Sequence, residues 1–105
     1  MSVAVFEQMK QYVGFSEADA ARLRVLRECV APHLPRVVER FWSLVTSHEP
    51  TRAALAATEL QAADLQATLL GWLQGLFSGT YDDQYCQRRA QIGRAHVRVG
   101  VPQHF

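Results

Sequence analysis

Apolar residues recur along the chain at intervals of three and four, interrupted by glycines, prolines and capping residues, and they almost nowhere alternate as in a strand. Leu34, Val37, Val38, Phe41, Leu44 and Val45 form the stripe of a helix with one buried face. Before it, Leu23, Leu26 and Val30 share a face of a helix opened by Ser16, with Asp19 at capping-box spacing, and closed by Pro32. A leading segment, Val3 to Val13, is weakly periodic and stops at Gly14. Glu49 and Pro50 break the central stripe, and Thr51 to Ala57 is long enough for one or two turns. Thr58 and Gln61 repeat the capping-box spacing ahead of Leu65, Thr68, Leu69, Trp72, Leu73 and Leu76, with Gly79 suited to the left-handed residue past the helix end. Asp82 and Asp83 suit the start of a last helix whose stripe is Tyr85, Arg89, Ile92, His96 and Val99, stopped by Gly100 and Pro102. The pattern predicts an all-α fold, four main helices with a short leading one, as a single domain over residues 1–105.

Composition narrows the partners. With 105 residues, 49% of them hydrophobic, there is room for one core only. A domain this small buries about 60 to 65% of its extended-chain surface, so a cofactor, a second copy or further chain would add needed stability. The net charge is +1 and the eleven lysines and arginines are scattered, which argues against nucleic acid. No apolar run approaches the roughly 20 residues of a membrane span, and the opening MSVAVFEQMK does not resemble a secretory leader. Cys29 and Cys86 stand far apart without CxxC spacing, as two free thiols in a reduced, cytoplasmic setting would.

Two polar residues interrupt apolar stripes. Thr68 lies among Leu65, Leu69 and Trp72, and His96 lies four residues after Ile92. Each has an ordinary explanation: a helical threonine bonds the carbonyl one turn back, and a lone histidine on an apolar face is more often a hydrogen-bonded core residue than a ligand. Gly93 shifts the balance. A glycine inside a helix costs about 1 kcal/mol relative to alanine, and here it leaves open space one turn before His96, where a large planar ligand would fit. An imidazole that donates one N–H to a carbonyl and offers its other nitrogen outward is oriented as a metal ligand. These features permit a haem iron ligand without establishing one.

Other chemistry has less support. His33, His48 and His104 have no partner at zinc-ligand spacing, and His33 and His48 sit beside prolines at helix ends. Glu59 and Asp64 read as solvated helix surface, and no nucleophile or phosphate-loop motif is present. Nothing in the pattern reads as an enzyme.

The segment RRAQIGRAHVRVGVP resembles the stretch that bears the proximal histidine in the sensor globins of bacteria and archaea, the globin-coupled sensors and protoglobins, which commonly carry R-x-x-I-G-x-x-H-x-x-I-G-L-P there. LFSGTYDDQYCQRR is similar to their turn into the histidine-bearing helix, and GFSEADAARLRVL and PHLPRVVERFW to their early helices. The resemblance therefore covers nearly the whole chain in order. It implies a haem b held without covalent attachment, no CxxCH being present, with His96 on the iron. Phe41, Trp42, Leu65, Thr68, Leu69, Trp72 and Ile92 are then the expected haem contacts, with Thr68 beside the bound gas. Trp42 departs from the family, which usually carries there a tyrosine that hydrogen-bonds oxygen.

A second departure is length. The family continues past the Gly-x-Pro stop with two helices that close the pocket and form the dimer interface, so a shortened globin-like fold is expected here. Trp72, Leu73, Leu76, Val97 and Val99 should then form an exposed patch that favours a homodimer. The resemblance implies a gas sensor, oxygen first among its ligands, that relays to an output domain or partner. The alternative is a haem-free helical interaction or dimerisation module on the same scaffold, with His96 in its core.

Overall fold

The computed structural model describes residues 2–58 and 61–98, so Glu59, Val99, Gly100, Pro102 and His104 lie outside the described residues. The described residues form six α-helices and a 3-10 turn: α1 (Val3–Val13), α2 (Glu17–Val30), the turn Ala31–His33, α3 (Leu34–Ser47), α4 (Glu49–Ala56), α5 (Ala62–Leu76) and α6 (Asp83–Arg98). The fold is all-α, as the periodicity predicts.

Local chemistry accounts for most boundaries. Ser2 Oγ accepts from the Val5 amide at the start of α1, and Gly14 closes it at φ +73°, in the left-handed region glycine enters without strain. The Asp19 carboxylate accepts from the Ser16 amide (2.9 Å) and hydroxyl (3.3 Å) at the start of α2. The Ser16 amide, and after it the Ser16 hydroxyl and Arg22, hold the Asp19 carboxyl below the usual carboxylate range. At the start of α6, Asp82 Oδ1 accepts from the Tyr85 amide at 3.0 Å.

Thr51–Ala57 lies mostly in a helix of about two turns, as expected, which begins slightly earlier: Pro50 sits in the first turn of the eight-residue α4, where its missing N–H costs nothing. One expectation changes. The Thr58–Gln61 capping box does not form. The Thr58 amide donates back to the Leu55 carbonyl at 3.1 Å, which makes Thr58 the tail of α4, and α5 opens behind Gln61.

Helix α3 packs on α4 and α5, while α1 packs on α6, where Phe6 stacks on Tyr85 at 5.9 Å. The turn between α5 and α6 is held from the other side of the chain: Lys10 Nζ donates to the Tyr81 carbonyl (2.7 Å) and Arg24 Nη2 to the Gly79 carbonyl (2.9 Å). Gly79 is buried at φ +79°, and a Cβ there would stand 2.5 Å from Arg24 Nε. These latches fix where α6, and therefore His96, begins.

The core is thin. Only Ala20, Leu34, Val38, Gly79 and Cys86 are buried among the described residues, and the radius of gyration, 15.4 Å, exceeds the ~13 Å of a compact chain of this length. The shortest dimension is 20 Å, close to two layers of helices. One face of α3 consequently stays open, with Val37, Phe41 and Leu44 exposed, and Val97 of α6 is exposed as well. Leu73 and Leu76, expected in the exposed patch, are half-buried instead, because α5 turns them inward; Trp72 and Val97 are exposed as expected.

Candidate functional site

The expected site residues lie on the second half of α6 and on α3 and α5, which pack on one another. His96 is exposed, and its Nδ1 lies 2.7 Å from the Ile92 carbonyl oxygen. A carbonyl only accepts, so Nδ1 carries the proton and donates, leaving Nε2 as the ring's remaining nitrogen. That is the orientation of a metal-binding imidazole whose tautomer is set by its own helix. A Cβ at Gly93 would meet nothing within 4 Å, so the surface one turn before His96 is open, as its glycine suggests.

On α5, Leu65 and Leu69 are half-buried, whereas Thr68 is exposed and Trp72 keeps 36% of its surface. The Thr68 hydroxyl donates to the Asp64 carbonyl at 2.9 Å. Its proton is therefore committed to the helix, and the oxygen is left as an acceptor. On α3, Phe41 is half exposed, at 50%, and Trp42 is half-buried, its carbonyl accepting from Thr46 Oγ1 at 2.9 Å. Ile92 is half-buried on α6. The backbones of α5 and α6 do not pack closely on one another, while each packs on a neighbour.

Other groups stand apart from this arrangement. His33 and His48 are exposed at the ends of α3. Among the described residues, no three histidines, cysteines or carboxylates gather as a metal cluster. Cys29 is exposed and Cys86 buried, both free thiols. A hollow of about 360 Å³ between α1, α2 and the 79–82 turn lies away from His96, and its two cations, Lys10 and Arg24, are committed to the turn's carbonyls. No described helix is long and apolar enough to cross a membrane.

Arg89 is the residue the periodicity places without explaining. Its guanidinium reaches across to α5 between two rings, Trp72 at 4.4 Å and Tyr85 at 4.7 Å, and Nη2 donates to the Trp72 carbonyl at 2.8 Å. The signal in the sequence was an arginine on an apolar stripe two turns before the histidine.

Comparison with known proteins agrees with this architecture. The Protoglobin family model matches residues 4–105. The heme-based aerotactic transducer HemAT of Halobacterium salinarum is 27% identical over 90 residues, covering 86% of this chain and 18% of its own length. The globin domain of the Geobacter sulfurreducens globin-coupled sensor superposes with a TM-score of 0.84 at 30% identity, over 93% of this chain and 64% of that one. The chain thus spans under a fifth of the transducer and just under two thirds of the sensor's globin domain. With a globin-like fold, a histidine presented on the open face of its last described helix, and a family match over nearly its whole length, the chain belongs to the globin-coupled sensor and protoglobin family.

Proposed function

We propose that the chain is a haem-binding gas-sensing globin domain in which His96 Nε2 ligates the iron of haem b. The observation that carries this reading is the His96–Ile92 hydrogen bond, which leaves a single imidazole nitrogen free on an exposed helical face beside open space at Gly93. The donor set fits haem rather than a structural metal ion: one neutral imidazole suffices for haem iron, whereas a structural zinc needs about four ligands. The relative from Halobacterium, described as heme-based, supports the same cofactor.

Haem, when bound, supplies an iron that takes a diatomic gas, and oxygen is the ligand we favour. The chain's own residues do the rest. Ile92 and its carbonyl orient His96, while Leu65, Leu69, Trp72 and Phe41 offer apolar surface to the porphyrin and keep water from it. Thr68 and Trp42 border the gas. The indole N–H of Trp42 is the stronger candidate donor, since the Thr68 proton is spent on Asp64. A shift of α6 on gas binding would pass to an output domain or partner as a change of population between two packings. The domain acts as a cytoplasmic transducer rather than an enzyme, paired as a homodimer through its open face.

Adding haem to the purified protein and recording its absorption tests the reading. A Soret band that is lost or strongly altered in His96→Ala supports it; an unchanged band in that variant overturns it, and no haem uptake by the parent favours the haem-free interaction module.

A further inference from the structure

Arg89 combines three features that a surface arginine does not need. Its Nη1 is buried and has no hydrogen-bond partner. Its charge faces no carboxylate: the ion pairs among the described residues are Lys10–Glu7, Arg22–Asp19, Arg24–Glu17 and Arg52–Glu49. And its place is reserved, because a Cβ at Gly75 would stand 2.8 Å from Nη2. Leaving a buried donor unmade is expensive, so the position answers to something other than solubility.

Its location says what. Arg89 holds the Trp72 carbonyl and ring where α5 and α6 are joined by a short turn, while their backbones otherwise stay apart. Seven residues further along the same face, about 10 Å at 1.5 Å per residue, is His96. Four and three residues back from Trp72 on α5 are Thr68 and Leu69. The clamp therefore ties α5 to α6 near the turn that joins them, and the site residues lie one or two turns beyond it on the same helix faces. A planar guanidinium stacked between two rings resists sliding as well as separation, which a lysine would not.

We propose that Arg89 is a positioning residue that sets the width of the gap between α5 and α6, and through it the placement of His96 opposite Thr68 and Leu69. The inference rests on the haem-sensor reading for its effect on iron, but the clamp itself can be tested without haem. Two variants attack it from opposite sides. Arg89→Met keeps length and removes the charge, the hydrogen bond and the planar stack. Gly75→Ala pushes the guanidinium off its seat and leaves Arg89 in place.

In the haem-free protein, amide hydrogen exchange within 65–69 and 92–96 should accelerate about three- to tenfold in both variants, with α2 and α3 unchanged. Arg89→Lys should restore little of the protection. Unchanged exchange at those segments, or acceleration spread evenly over the chain, overturns the clamp. In the haem-loaded ferrous protein, both variants should move the iron–histidine stretching band in the same direction and change gas dissociation severalfold. Haem bound with an unmoved band would leave Arg89 a stabilising contact only and overturn its positioning role. Failure of the parent to take up haem would count against the haem-sensor reading alone, since the exchange measurement still decides the clamp.

Discussion

The Nδ1 of His96 stands 2.7 Å from the carbonyl oxygen of Ile92, four residues earlier on the same helix. The Ile92 carbonyl lies inside α6, where the His96 amide is its ordinary helical partner, and the imidazole N–H adds a second donor to the same oxygen. The same bond fixes the ring's rotamer and tautomer before any ligand arrives. A ligand that binds Nε2 then meets a side chain already oriented, with less rotamer entropy left to lose.

That pre-orientation gives the first prediction. His96→Gly should lose the haem Soret band, and added imidazole should restore much of it by occupying the vacated volume. Restored binding but a shifted iron–ligand band would mark the missing tie to the Ile92 carbonyl. If His96→Gly binds haem as the parent does without imidazole, the ligand is another group.

Thr68 gives the second. Its proton lies on the Asp64 carbonyl at 2.9 Å, so the hydroxyl has none to donate to a bound gas in this rotamer. Thr68→Val, nearly the same shape, should change oxygen dissociation by less than about threefold, below the roughly 1 kcal/mol of a hydrogen bond. Stopped-flow dissociation checks this. An acceleration well beyond that range would show that the hydroxyl swings from Asp64 to the gas.

Much of the fold was legible because its punctuation is chemical. Gly14, the Ser16–Asp19 pair, Pro32 and Asp82 each act where their backbone preferences place them. Glu49 and Pro50 break the central stripe as read, whereas Thr58 misled: a threonine serves the start of a helix as well as its end, and only the bonding of the Thr58 amide to Leu55 decides which. At the site, the stripe periodicity identified His96 and Thr68 as exceptions on their faces. What it could not supply is the Arg89–Trp72 bond, which joins residues 17 apart through a bend whose geometry depends on Lys10, Arg24 and Gly79. Leu73 and Leu76 share the apolar stripe and are expected to be exposed only because the family's two covering helices are missing; that they are half-buried without them is a packing result of α5 against α3.

Self-association is the third prediction. Val37, Phe41 and Leu44 lie on one face of α3, all exposed, and Trp72 and Val97 are exposed on α5 and α6. Hiding a few hundred Å² of such surface is worth several kcal/mol at about 25 cal/mol per Å². At micromolar concentration the chain should sediment as a dimer, and Val37→Ser with Leu44→Ser, neither of them a proposed haem contact, should shift it to monomer while the helical circular dichroism persists. A parent that stays monomeric at these concentrations, with or without haem, removes the argument from exposed apolar surface.

The fourth prediction concerns alkaline pH and the turn that launches α6. The Tyr81 hydroxyl donates to the Leu76 carbonyl at 2.5 Å, supplying a partner at the C-terminal end of α5, while its ring meets Phe15 and Tyr85 edge-on at 5.2 and 5.0 Å. Burial pushes the phenol above the ordinary tyrosine value, and the Tyr85 phenol adds to it; the Gly79 amide, Arg24 and Arg89 pull the other way and do not cancel the rise. The folded state thus favours the protonated phenol more than the unfolded chain does. The resulting stability is fully present below the unfolded tyrosine's ~10 and is lost as pH rises through the higher folded value. Tyr81→Phe should cost about 1 kcal/mol at neutral pH, the worth of one hydrogen bond. It should also remove the part of the alkaline loss that belongs to this residue, so the stabilities of parent and variant converge as pH rises beyond that range. Urea unfolding of both proteins across neutral and alkaline pH measures the difference directly, cancelling what the two proteins share. A gap between them that stays constant with pH would mean that the Tyr81 hydroxyl is solvated in the folded chain and does not hold the end of α5.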